Sequence, residues 1–216
     1  KKIFFISSII HMNNTLTVVI SSYNYGHLAA HCIDSVISQT IKPDVIMFLD
    51  DGVGDCKHLP SIYPEVEYIF REKNLGTVDN FDDALMRVKT KYTMFLGADN
   101  WLRSDAIELL LDEPLDVVTY DIMVTGEFKD KFSSFGNFYK SDGDIYWDRE
   151  GGHHGSMMYN TEMGQKIGYK RRPGSTYGDE EDWNLWNGFV KQNAKIKYLK
   201  QALLYYRRHR ENFIKT

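Results

Sequence analysis

Two cysteines in 216 residues, Cys32 and Cys56, are too few and too widely spaced for a disulfide framework or a CxxC metal motif. Cys32 falls on the apolar side of an expected helix and reads as a buried free thiol of a reducing compartment. No apolar run is long enough to cross a bilayer as a helix. Neither GxGxxG nor GxxxxGK[ST] occurs, so a nucleotide here has no glycine-rich phosphate loop and must be held by side chains and a metal. Positive charge is not in excess: the net charge is -4, which removes the global electrostatic case for nucleic acid. The basic clusters "KRR" (170–172) and "RRHR" (207–210) read as solvated surface. With 5 prolines and no repeat, linker or low-complexity tract, nothing divides the chain.

What is present is a core. The composition is 43% hydrophobic and 14% aromatic, enough for one substantial domain. "KKIFFISSII" has a basic start and a short apolar stretch but no convincing cleavage site, and His11-Met12 reads as a cloning junction. Residues 1–11 are therefore expected to be a leader or cloning-derived segment, and 12–216 one domain made of an ordered half (12–125) and a more irregular half (126–216).

From residue 16 the pattern alternates. "LTVVIS" (16–21), "VIMFLD" (45–50), "EVEYIF" (65–70), "YTMFLG" (92–97) and "LDVVTYDIMV" (115–124) read as buried strands. Between them, Leu28, Cys32, Ile33, Val36 and Ile37 recur at helical spacing, as do Val78, Phe81, Leu85 and Val88. Ser104 is expected to cap a helix over 105–111. Beyond 125 come strand candidates at Phe138–Tyr139 and Asp144–Trp147, helical patterns at 161–167 and 179–192, and two closing strands, "KIKYL" and "LLYYR". This alternation predicts an α/β fold with a mostly parallel sheet, whose ligands gather at the carboxyl ends of the strands.

Polar residues collect at those ends: Tyr23 and Asn24, Asp50 and Asp51, Asn74 and Gly76, Asp99 and Asn100. Any one is an ordinary turn or cap residue. Together on one sheet edge, the carboxylates must bind cations or accept hydrogen bonds.

Those residues carry a resemblance. "TVVISSYNYGHLAAHCIDSVISQTIKPDVIMFLDDGVGD" resembles the start of family 2 inverting nucleotide-sugar glycosyltransferases, which have the GT-A fold, a Rossmann-like sheet with helices on both faces. "NLGTVDNFDDAL", "MFLGADNW", "YGDEEDWNLW" and "YYRRHREN" are similar to the blocks that follow in that family, in order, from about 15 to 212. The resemblance implies a transferase that moves a sugar from a nucleotide-diphosphate donor, with UDP favoured, to an acceptor hydroxyl. It implies that Asp51 accepts a hydrogen bond from the base beside Tyr23, that Ser21 contacts base or ribose, and that Asn74 and Asn80 line the pocket. Asn80 has an equal alternative as an ordinary helix residue, and Asp50 as a structural carboxylate. Asp99, the last acid of a motif that has Ala98 where relatives carry another, would hold Mn²⁺ or Mg²⁺ with His209, and Arg207 would lie at the diphosphate. Asp182 would be the catalytic base, with Glu181 as its rival, and Trp183 either a sugar-binding wall or a core aromatic. His153 and His154 read as acceptor-loop surface.

The acceptor class implied is a glycan, lipid-linked or protein-linked hydroxyl, with nucleic acid a minority view, and the location cytoplasmic or peripheral to a membrane. Two other readings stay open: a GT-A-like nucleotidyltransferase, which would need a basic glycine-rich loop, and a non-catalytic sugar-nucleotide or glycan-binding module, suggested by Ala98.

Overall fold

Alternation along the first strand decides which face each helix takes. In β1 (Leu16–Ser22), Leu16, Val18 and Ile20 turn to one side and Val19 to the other, as the period of two requires. The first side packs on Ala29, Cys32, Ile33 and Val36 of α1 (Gly26–Ile37). The second meets Ala84 of α2 (Thr77–Arg87) and Val88 just beyond it. Helices therefore cover both faces, and each fully buried Leu or Ile contributes about 1.5–3 kcal/mol. The computed structural model describes residues 14–127, 138–140, 145–147, 156–171, 181–210 and 212. His153, His154, Asp179 and Glu180 lie outside the described residues.

The remaining strands are β2 (Val45–Asp50), β3 (Glu67–Phe70), β4 (Tyr92–Gly97), β5 (Trp101–Leu102), β6 (Val117–Gly126), β7 (Phe138–Lys140), β8 (Ile145–Trp147), β9 (Met157–Asn160) and β10 (Ile196–Arg208). Their order is β3-β2-β1-β4-β9-β6-β10-β5, with β7 and β8 continuing from β6. Pairing is parallel from β3 through β4 and between β6 and β10; β9 is antiparallel to both neighbours, and β5 runs antiparallel to β10. The expected mostly parallel α/β sheet is present, and strands from both halves of the chain share it. Helices α3 (Ala106–Leu111), α4 (Thr161–Ile167) and α5 (Glu181–Lys191) and a 3-10 turn at Leu59–Ser61 complete the described elements. A second apolar cluster joins Leu185 and Phe189 of α5 to Tyr159 of β9 and Ile167 of α4. No helix among the described residues is long and apolar enough to cross a membrane.

Two expectations change. The closing strands are one, β10, whose register shifts between Leu199 and Ala202 and again before Leu204. Such bulges bend a strand without ending it. Ser104 does not cap α3; its carbonyl accepts from Thr40 N–H. The cap comes from Gln39, whose Oε1 accepts from Ile107 N–H at 3.0 Å while its Nε2 donates to the carbonyls of Ser35 and Arg103. One buried amide thus joins the end of α1 to the turn before α3.

Replacing Gln39 by Ala orphans those buried groups, at a cost of about 1–3 kcal/mol. Thermal melting should show a fall of roughly 2–4 °C per kcal/mol lost for a domain of this size. An unchanged melting temperature would mean that water replaces the amide and the tie is dispensable.

Candidate active site

The carboxyl ends of β1, β2 and β4 lie side by side, with Ser21 opposite Leu49 and Gly97 and Ser22 opposite Asp50. Each strand hands its next residue to a loop on this edge. At β2 the two acids divide. Asp50 is buried and accepts from Val53 and Gly54 N–H at 3.0 Å through one oxygen and from Cys56 N–H at 3.3 Å through the other. It is the structural carboxylate that closes the 50–56 turn.

Asp55 completes that turn by accepting from Gly26 N–H at 2.7 Å, which caps α1 from a distant loop. Asp50, Asp55 and Cys56 stand close enough together to hold a metal ion. Their donor set does not favour one. Burial pushes the Cys56 thiol up to about 12, and the carboxylates are already engaged by N–H groups.

Asp51 points the other way. Its oxygens accept from Leu75 N–H at 2.9 Å and Gly76 N–H at 3.1 Å, fixing the loop after β3. Burial raises its carboxyl above the ordinary range, opposed by those two hydrogen bonds and by Arg71. Gly52 makes this approach possible: its φ of 88° is a left-handed conformation, and a Cβ there would collide with the backbone at Lys73 and Asn74. Asn74 is exposed and accepts from Gly76 N–H at 2.5 Å, closing the same loop from within. Asn80, buried in the first turn of α2, accepts from Arg71 Nε at 3.1 Å and reaches Ser21 Oγ at 3.4 Å. Arg71 continues to Asp83. Tyr23, just past β1, is 53% exposed at the mouth of this group.

Asp99 sits beyond β4 and is 6% exposed. Its Oδ2 accepts from Asn212 Nδ2 at 3.0 Å and lies 3.2 Å from His209 Nε2. Its carbonyl accepts from Arg207 Nε at 3.0 Å, and Asn100 Oδ1 accepts from Arg207 N–H at 2.9 Å. Gly97 leaves room for the carboxylate, since a Cβ there would come within 2.7 Å of Asp99 Oδ1. Ala98 is fully buried in the main core, where a second acid would face apolar side chains.

Two ligands at about 2.1 Å from an octahedral ion stand roughly 3 Å apart, close to the spacing of Asp99 Oδ2 and His209 Nε2. The pair is spaced as two ligands of a divalent cation would be.

Asp182 begins α5, where its Oδ1 accepts from Trp183 N–H at 2.7 Å. The hydroxyl of Tyr206, pushed up to about 12 by burial first, is raised further by Asp99 and by Asp182. Both carboxylates therefore act on the same stretch of β10. Trp183 is half-buried and is not among the side chains of the α5 cluster.

The structure thus brings together Ser21, Asn80 and Arg71 in one network, Asp51 with the Asn74 loop in a second, and Asp99, Arg207 and His209 in a third. Arg71 and Asn212 escaped the reading of the sequence as site residues. Arg71 carried no motif. Asn212 stood in "HREN", where its spacing from His209 was the available signal.

The family model described as glycosyl transferase family 2 matches residues 17–175. Glycosyltransferase GlyA of Streptococcus pneumoniae is 30% identical over 146 residues, which is 64% of this chain and 20% of that protein. Chondroitin synthase of Escherichia coli is 31% identical over 103 residues, 45% of this chain and 15% of the relative. Among solved structures, residues 1–349 of S. aureus TarS in complex with UDP superpose with a TM-score of 0.67 at 14% identity, covering 90% of this chain and 60% of that one. The chain thus spans a fifth of GlyA and three fifths of the solved TarS chain. With the family model covering most of its length and the sheet arranged as in these neighbours, the chain belongs to glycosyl transferase family 2 and has the GT-A fold.

Proposed function

We propose that this chain transfers a sugar from a UDP-linked donor to an acceptor hydroxyl, inverting the anomeric centre by direct displacement. The observation that carries the reading is the convergence on Asp99 of His209, Asn212 and Arg207, beside the two networks that hold Asp51 and Asn80. TarS, whose fold is shared, was solved with UDP and with UDP-GlcNAc, which supports a uridine nucleotide.

In this reading the base packs against exposed Tyr23 and donates to Asp51, whose oxygens retain lone pairs beyond the two backbone hydrogen bonds. Ser21 and Asn80 face the ribose, and Asn74 shapes the loop around it. Asp99 and His209 hold Mn²⁺ or Mg²⁺, which supplies positive charge to the departing diphosphate. Arg207, fixed by Asp99 and Asn100, places its guanidinium where that charge also develops. Asp182 takes the proton as the acceptor oxygen bonds to the anomeric carbon. The bond from that carbon to the diphosphate oxygen breaks, and its electron pair leaves with the nucleotide. The acceptor is a glycan or a lipid- or protein-linked hydroxyl.

Three measurements test this. Asp182→Asn should lower transfer by roughly 10²–10⁴-fold with donor affinity and melting temperature nearly unchanged. Collapse in Glu181→Gln with normal turnover in Asp182→Asn would move the base to Glu181, whose side chain points about 100° away on the helix.

UDP affinity measured by calorimetry should fall on chelation of divalent cations, and Asp99→Ala should abolish that dependence. Equal affinity in EDTA and in Mn²⁺ for the unaltered chain would remove the metal from the mechanism.

Asp51→Ala should weaken UDP and UDP-sugars alike, by about 0.5–1.5 kcal/mol or more. It should also speed amide exchange at Leu75 and Gly76. Faster exchange with unchanged UDP affinity would leave Asp51 a loop-fixing residue alone.

A further inference from the structure

On the far side of Asp99 from the residues proposed to hold the base and ribose lies a pocket of about 640 Å³ that shares Arg207 and His209 with the transfer site and extends beyond them. The strand order places it there. Ser21, Asp51 and Asn80 belong to the β1–β3 end of the sheet and α2, β4 delivers Asp99 in between, and the pocket is walled by β5, the end of β10 and the first turns of α1. In a chain of net charge -4, its walls carry His27, His31, Arg207, Arg208 and Arg210, with the proposed metal ligand His209 at the side nearest Asp99. The acid on its rim, Glu127, is paired with Arg210 at 3.5 Å.

These groups are held in place. Trp101 is stacked between His31 and Tyr205 as ring neighbours, at 4.7 and 5.2 Å, and Arg207 lies 4.9 Å from the same indole. Arg207 also sits 2.9 Å from His31 Nδ1. A guanidinium can only donate, so Nδ1 accepts and the ring proton of His31 is on Nε2. That N–H, and the Arg207 nitrogen not engaged with Asp99 or His31, have no partner among the described residues and border the pocket. Two preorganised donors at the border of a cationic cavity suit a tetrahedral oxyanion.

We infer that this pocket binds a phosphate group of the acceptor, a phosphomonoester or phosphodiester carried next to the hydroxyl that receives the sugar. The inference rests on the donor reading above, because Arg207 would then stand between the phosphate of the acceptor and the diphosphate of the donor and orient one toward the other.

The test uses the whole chain saturated with UDP and Mg²⁺, and glycerol 3-phosphate and glycerol as probes in an NMR titration. Glycerol 3-phosphate should bind and shift the His31 ring resonances, and glycerol should not. His31→Ala and Arg210→Ala, both at exposed positions, should each weaken glycerol 3-phosphate by roughly ten- to a hundredfold, as expected for a hydrogen bond or charge facing an oxyanion, while UDP affinity stays within about twofold in Arg210→Ala, which leaves the contact between Arg207 and His31 intact. Sedimentation with phosphatidylglycerol or phosphatidylcholine vesicles separates the sources. Selective binding to the former that His31→Ala abolishes assigns the phosphate to a lipid headgroup, and its absence assigns it to a soluble acceptor. Competition between glycerol 3-phosphate and UDP, equal binding of glycerol, or indifference to both substitutions would each overturn the inference. Intact UDP binding without phosphate binding would overturn this inference alone, whereas loss of UDP binding in the unaltered chain would overturn the donor reading with it.

Discussion

Asp99 is a carboxylate that the fold almost removes from water at the end of its most central parallel strand. A buried charge of this kind persists only if hydrogen-bond donors meet it. Here the partners come from far downstream: Asn212 Nδ2 donates to Asp99 Oδ2, His209 Nε2 stands 3.2 Å from the same oxygen, and Arg207 Nε donates to the Asp99 carbonyl. Asn212 also donates to the Arg207 carbonyl and accepts from His209 N–H at 2.6 Å, so it organises both partners while contacting the acid itself. The placement of β10 and the missing side chain of Gly97 both answer to this one group.

A division of labour between neighbouring acids follows from the same physics. Asp50 ends β2 and Asp51 opens the loop after it, and their carboxylates meet different partners. Asp50 spends its oxygens on its own turn, while Asp51 reaches across to the next loop. The first makes the edge rigid, and the second couples two loops that approach the proposed nucleotide from different strands.

Much of this was readable in advance, for identifiable reasons. β2 and β4 are continuous apolar runs that only a two-sided sheet can bury, so "VIMFLD" and "YTMFLG" announced themselves. α2 showed its apolar side in Val78 and Leu85. The family resemblance pointed to Asp99 through "MFLGADNW" and to His209 through "YYRRHREN", and the fold brings the two side chains within 3.2 Å. Other features had no local signature. β5 is two residues long and exists only because β10 pairs with it. β10 reads as two strands because the alternation slips at its bulges. The cap of α3 could not be assigned to Gln39, since that contact joins residues 68 apart and depends on how α1 lies against the sheet. The role of Asp50 was left even between structure and function because two adjacent aspartates look alike until their hydrogen bonds are known.

The span between Asp99 and Asn212, 113 residues, also constrains when the site can exist. A growing chain that has emerged through β6 already contains the β3-β2-β1-β4 sheet and the residues proposed to meet the base. Its central carboxylate still lacks the side chains that meet it in the folded chain, because those lie far downstream, at and just beyond the end of β10. Closing so long a loop is entropically slow compared with local helix and hairpin formation. The cluster around Asp99 therefore forms only once β10 is in place. A fragment ending before β10 would carry the first strands of the sheet without the side chains that meet its central carboxylate.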